Sequence, residues 1–251
     1  MEKTEKRKFG ISSSTLHILA MVFMLCDHAW ATVFSGNQWL NSIGRLAYPI
    51  FAFLLVEGYF HTRDLKKYVL RMLLFALISE IPFNLMMAGT LIYPFDQNVI
   101  WTMLWGILFI WMNERVKKTG VMWKRILAGI GIALLALLAG PVTFVDYGGV
   151  GILIILMFYY LRGKKWWCLL GQVVIMYYLN VVVLKGMEVP VELFGREFFI
   201  SQQGLALFSL IPIWLYNGTK GIRSKTFQYC CYAFYPEHMV ILYLISAFIS
   251  R

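Results

Sequence analysis

Charge is scarce in this chain: Asp, Glu, Lys and Arg make up 14% of its 251 residues, against 60% hydrophobic residues. A soluble fold of this length cannot bury so much apolar surface, which excludes an ordinary water-soluble domain. Acidic residues are the rarer sign, 13 against 23 Lys and Arg. Cysteines are few as well. Cys26, Cys168, Cys230 and Cys231 fall in apolar stretches and lack the paired spacing of a disulfide frame or a zinc site. Low-complexity tracts, internal repeats and long polar insertions are missing. Residues 1–251 therefore read as one integral membrane domain whose chemistry sits among its helices.

What the chain has in abundance is apolar stretches of about 20 residues, long enough to cross a hydrocarbon core of roughly 30 Å as helices. They run near 15–35, 43–60, 68–92, 98–113, 123–141, 149–162, 166–184, 199–216 and 228–249. Continuous runs point to helices, because barrel strands would alternate polar and apolar residues in short segments. The expectation is an all-α, polytopic membrane helical bundle of about nine transmembrane helices.

Orientation follows from where Lys and Arg collect. They crowd the N-terminal tail (Lys3, Lys6, Arg7, Lys8) and the connections holding Arg63/Lys66/Lys67, Arg115/Lys117/Lys118/Lys124/Arg125, Arg162/Lys164/Lys165 and Lys220/Arg223/Lys225. Connections 36–42, 93–97 and 142–148 have none, and 185–198 mixes Lys185 and Arg196 with Glu188, Glu192 and Glu197. This alternation predicts the N-terminus in the cytoplasm and the C-terminus outside. Basic inner loops beside anionic lipid account for the net charge of +10 without nucleic acid as a partner. The first apolar run is too long and too polar for a cleavable leader, so the first helix is expected to stay.

Ionisable residues inside a span cost on the order of 3 kcal/mol, so they are usually paired or functional. Asp27 and His28 lie in the outer half of the first span, and Arg45 opens the second at similar depth. Consecutive helix residues diverge by about 100°, so Asp27 is expected to pair with Arg45 rather than with His28. Glu80 sits midway along the third span, Asn98 and Thr102 start the fourth, and Asp146 with Tyr147 precedes the sixth. Tyr235, Glu237 and His238 lie near the middle of the last. An outward-open polar cavity would explain all of them. His28 can exchange a proton near neutral pH or accept an acyl group, with His238 a second candidate base and Tyr235 on its helical face. Gln202 and Gln203 read as interhelical hydrogen-bonding residues. Glu57, His17 and His61 read as structural, and Pro49, Pro82, Pro212 and Pro236 as local kinks. The two deep histidines lack ligand spacing, so no metal is expected.

These residues resemble the TraX family, named for a conjugation protein that acetylates the N-terminus of pilin. The likeness is carried by Met24-Leu25-Cys26-Asp27-His28, by Gly44-Arg45-Leu46-Ala47-Tyr48-Pro49 with Glu57-Gly58-Tyr59, and by Thr62-Arg63, Lys67-Tyr68 and Arg71. It continues through Ile78-Ser79-Glu80-Ile81-Pro82-Phe83, Asn98-Val99, Tyr147-Gly148-Gly149-Val150-Gly151 and Tyr235-Pro236-Glu237-His238. The family is itself similar to multispan acyltransferases that use acetyl-CoA and a membrane-embedded histidine. The resemblance implies a protein of the bacterial cytoplasmic membrane that moves acetyl from cytosolic acetyl-CoA to an amine or hydroxyl of a membrane-associated acceptor, such as a pilin-like N-terminus. On that basis His28, Asp27 and Arg45 are the expected catalytic group. Glu80, Asn98, Asp146, Tyr235 and His238 are expected to contact substrate, and Arg63, Lys67 and Arg71 to meet the coenzyme phosphates. An acyltransferase for a surface glycan or lipid and a small-molecule or proton transporter are the alternatives.

Overall fold

The computed structural model describes residues 9–249 apart from Phe194. The tail residues Lys3, Lys6, Arg7 and Lys8, which enter the orientation argument, lie outside them. The chain divides into two compact units, Met1–Leu54 with Lys164–Arg251, and Leu55–Gly163. Each is built from helices, and the described residues add one two-stranded hairpin.

In the first unit, α1 (Ser13–Thr32) packs against α2 (Gln38–Gly44) and α10 (Lys225–Ile249). Gly44 is required there, because a Cβ on it would strike the Cβ of Asp27. The start of α1 is anchored by the loop before α10. The amides of Ser13 and Ser14, which have no partner inside the helix, donate to the carbonyls of Thr219 and Lys220 at 2.8 and 3.1 Å. The Ser12 hydroxyl caps the amide of Thr15. α8 (Trp166–Tyr177) runs on into a π-helical stretch, Tyr178–Leu184. Then come the antiparallel strands β1 (Glu188–Leu193) and β2 (Arg196–Ser201), a 3-10 stretch Gln202–Ser209 and the short α9 (Leu210–Trp214). Lys164 donates to the carbonyls of Trp214 (2.8 Å) and Tyr216 (2.6 Å), satisfying acceptors at the end of α9.

α3 (Ala47–His61) begins in the first unit and ends in the second, which also holds α4 (Leu65–Ala88), α5 (Val99–Lys117), α6 (Met122–Val142) and α7 (Gly148–Tyr160). Asp64 caps α4 by accepting from the amide of Lys67 at 3.0 Å, and Gly89 ends it in the left-handed region at φ +67°. α7 is the core of this unit, buried from Gly149 to Tyr159 at every position but Leu153 and packed on α5 and α6. Glycines let these helices approach: a Cβ on Gly140 would fall on the backbone of Gly148 and Gly149, and one on Gly106 would meet the side chain of Ile155. Small residues at such crossings are how helices pack tightly where lipid offers no hydrophobic drive.

Among the described residues six helical stretches are long and apolar enough to cross a membrane: Ser13–Thr32, Gln38–His61, Leu65–Ala88, Met122–Val142, Trp166–Leu184 and Lys225–Ile249. Three of the nine expected segments differ. α5 ends in Glu114, Arg115 and Lys117, and α7 has only 13 residues. The expected helix over 199–216 is not continuous, and the connection before it is not a simple loop, because residues 188–201 form the hairpin. Glu188 to Leu193 alternates polar and apolar residues as a strand does. The Ser201 hydroxyl then accepts from the amide of Gly204, and the helical path resumes only as 3-10 and a short α-turn.

Gly140→Val should lower the unfolding temperature in detergent, costing roughly 1–3 kcal/mol by overpacking the α6–α7 crossing. Gly131→Ala in the same helix meets nothing within 4 Å and should be neutral or slightly stabilising. Thermal unfolding of the purified variants checks both.

Candidate functional site

The first unit gathers five of the expected residues, Asp27, His28, Arg45, Tyr235 and His238, onto α1 and its neighbours. Asp27 faces Arg45, at the end of α2, and the two form an ion pair whose side chains are 21% and 20% exposed. The same carboxylate oxygen accepts from the side-chain amide of Asn41 at 2.8 Å. The guanidinium also reaches the Gln203 carbonyl oxygen at 3.5 Å, and Gln203 donates in turn to Asn180 at 3.0 Å. Asn180 closes the chain on the carbonyl of Met176 at 2.9 Å. Beside it, Gln202 donates to the carbonyl of Gln38 and to the Ser42 hydroxyl, at 3.1 and 3.2 Å.

His28 is half-buried on α1 and points away from the Asp27–Arg45 pair toward α10. Its Nδ1 lies 2.7 Å from Nε2 of His238, which is 5% exposed. Nδ1 of His238 is 2.7 Å from the carbonyl oxygen of Phe234, one helical turn back. The Phe234 ring stacks on His238 at 4.7 Å, and Tyr235 stands tilted at 5.8 Å. Arg45 is close enough to act on His28 electrostatically. Glu237 is exposed on the face of α10 that carries a shallow groove lined by Pro236, Val240 and Ile241.

The remaining expected residues belong to the second unit. Glu80 on α4 accepts from Asn98 and from the indole of Trp101 (3.0 Å), and Asn98 also donates to the carbonyl of Ala76 at 2.9 Å. The other oxygen of Glu80 is buried without a hydrogen-bond partner among the described residues. Asp96, in the connection outside the spans, has its carboxyl pushed up by burial and by the nearby negative charge of Glu80. Asp146 serves the turn into α7. Its carboxylate accepts from the amide of Tyr147 at 2.8 Å and supports that residue at φ +59°, while its carbonyl accepts from Thr102. Arg63, Lys67 and Arg71 are exposed at and near the start of α4, where Lys67 lies 3.4 Å from Asp64. No group of three His, Cys, Asp or Glu arranged to hold a metal ion is found among the described residues.

Sequence reading found Asp27, His28, Arg45 and His238, and Gln203 as an interhelical hydrogen-bonding residue, but left out Asn41 and Asn180, which complete the first unit's network. Their signal was present: each is a side-chain amide inside or beside an apolar run, where an amide must find a partner.

A family model described as TraX protein matches residues 12–246. The chain is 26% identical over 260 residues to "Probable fimbrial assembly protein FimC, serogroup H1" of Dichelobacter nodosus, covering 97% of this chain and 99% of that protein. No solved structure matches it.

Breaking the ion pair leaves a lone charge in a largely buried place. Arg45→Ala should destabilise the protein by roughly 2–3 kcal/mol, somewhat below the cost of a fully buried pair because a fifth of each side chain is exposed. Asp27→Asn combined with Arg45→Gln should recover much of that loss. Denaturant titration in micelles of Asp27→Asn, Arg45→Gln and the double variant gives the coupling.

Proposed function

Because the chain belongs to the TraX family, we propose that it is a membrane-embedded acetyltransferase carrying acetyl from cytosolic acetyl-CoA to an amine or hydroxyl of a membrane-associated acceptor. The hydrogen-bonded His28–His238 pair is the observation that carries this reading. An imidazole held at a fixed angle by a second imidazole, beside a neutralised Asp27–Arg45 pair, has the parts of a general base and its orienter.

In this reading His28 takes the proton of the acceptor N–H or O–H as that atom attacks the thioester carbonyl. The carbon–sulfur bond breaks and the departing thiolate recovers the proton. Asp27 and Arg45 hold the bend between α1 and α2 that orients His28. Tyr235 borders the imidazole pair, and Glu80, Asn98 and Asp146 are the proposed substrate contacts of the second unit. Arg63, Lys67 and Arg71 supply positive charge for the coenzyme phosphates. The fimbrial assembly role in the name of the Dichelobacter nodosus relative favours a pilin-like N-terminus as acceptor.

The alternation of Lys and Arg supports an N-terminus in the cytoplasm and a C-terminus outside, in the bacterial cytoplasmic membrane. Nine crossings then consist of the six long apolar stretches together with α5, α7 and the broken segment expected over 199–216. The family match extends over most of both units, which supports treating residues 1–251 as one domain.

Transfer of label from acetyl-CoA to host membranes containing the intact protein should fall by about 10²–10⁴-fold in His28→Ala. Mass analysis of the labelled product separates a peptide amine from a glycan or lipid hydroxyl. Absence of transfer by the folded protein to every acceptor supplied would reject the acetyltransferase and turn attention to flux through proteoliposomes.

A further inference from the structure

The four histidines of this chain do not behave alike. Nδ1 of His17 lies 2.8 Å from the carbonyl of Ser13, that of His61 lies 2.7 Å from Glu57, and that of His238 lies 2.7 Å from Phe234. Each of these three rings turns back onto the carbonyl four residues earlier. A carbonyl oxygen only accepts, so each of these Nδ1 atoms carries hydrogen. His28 is the exception. Its Nδ1 is directed across to α10, 2.7 Å from Nε2 of His238.

That difference fixes the protonation pattern of the pair. In neutral His238 the single ring hydrogen is on Nδ1, committed to Phe234, so Nε2 is a bare lone pair. The hydrogen between the two rings must then come from Nδ1 of His28. The ring planes lie 6° apart with centroids at 4.9 Å. Since two nitrogens of these rings are 2.7 Å apart, so large a centroid separation means the rings meet edge to edge in nearly one plane. That is the direction in which an imidazole N–H donates. Nε2 of His28 is left without hydrogen and without a hydrogen-bond partner among the described residues.

Resting on the acetyltransferase reading for its catalytic meaning, we infer that the Phe234 carbonyl and His238 lock His28 as its Nδ1–H tautomer, making Nε2 of His28 the base and His238 its positioning residue. The sequence leaves either histidine as the base; the hydrogen-bond directions separate their roles. When Nε2 receives the proton of the acceptor, His28 becomes an imidazolium. Its Nδ1–H bond to His238 then becomes charge-assisted and strengthens as charge develops. The proton leaves Nε2 for the departing thiolate, and the pair returns to its starting tautomers.

Nitrogen-15 NMR of the full chain in micelles, labelled at histidine and assigned with a His28→Gln sample, reads the tautomer without turnover. The expected result is hydrogen on Nδ1 and none on Nε2 of His28. Hydrogen on Nε2 of His28, or a doubly protonated His238 at rest, overturns the inference. The second arm compares His238→Leu with His238→Gln, whose amide oxygen can still accept from Nδ1–H. With labelled acetyl-CoA and host membranes, the leucine variant should lose about 100-fold in kcat with KM for acetyl-CoA little changed. The glutamine variant should keep activity within about tenfold of the intact protein. Equal loss in two folded variants counts against a positioning role. The Nδ1–H tautomer in a protein that transfers no acetyl supports the lock while rejecting the reaction. Transfer that needs His28 while its Nε2 bears hydrogen supports the reaction while rejecting the lock.

Discussion

The ion pair between Asp27 and Arg45 organises the first unit, because lipid offers no water to either charge and each must be satisfied by the protein itself. Everything near it is arranged to make that meeting possible. Gly44 removes the side chain that would otherwise occupy the place of Asp27, so α2 can lie directly on α1. Asn41 then reaches the same carboxylate from one turn earlier. From Arg45 the network passes through Gln203 to Asn180, tying the 3-10 stretch and the π-helical end of α8 to the first two helices. The irregular backbone of this unit is thus located where polar side chains are concentrated, as is usual for non-helical chain at membrane depth.

The second unit handles its carboxylates by the same rule with different partners. Glu80 is held by the amide of Asn98 and the indole of Trp101 rather than by a cation. Glu114 on α5 accepts from the hydroxyl of Tyr159 at 2.7 Å, and Glu57 on α3 pairs with Arg162, also at 2.7 Å. The hydroxyl of the buried Tyr159 and the guanidinium of Arg162 come from the end of α7 and just beyond it. The helix most completely enclosed in apolar contacts therefore has its polar C-terminal end tied to α5 and α3. Glycines at the α6–α7 crossing bring the helices close enough for dispersion contacts to supply the rest.

Much of this could be read from residue order. Long apolar runs locate the helices, and the 100° offset between neighbours separates the partners of Asp27 and His28, since one faces Arg45 and the other α10. Two things were not legible. His28 and His238 are 210 positions apart, and periodicity within α1 or α10 says nothing about which faces meet. The break in the expected 199–216 helix was hidden by composition: Phe199 and Ile200 read as the start of a spanning helix, yet they belong to a hairpin and remain exposed. The alternation Glu188-Val189-Pro190-Val191-Glu192 was the available warning, outweighed by the high hydropathy of residues 198–215.

The position of Asp27 explains why the proposed base is oriented by an imidazole. A carboxylate is the usual partner for such a ring, and one lies immediately before His28 in sequence. Helix geometry turns it about 100° away, and Arg45 and Asn41 occupy it there. An additional carboxylate beside His28, lacking a cation, would add a buried charge at a cost of several kcal/mol. In the inferred tautomers His238 avoids that expense, since it accepts at Nε2 as a neutral ring and its Nδ1 lies against the Phe234 carbonyl. A neutral orienter stabilises a developing imidazolium less strongly than a carboxylate does. What it contributes instead is geometry, and the neighbouring Asp27–Arg45 pair holds α1 against the end of α2 without adding net charge beside it.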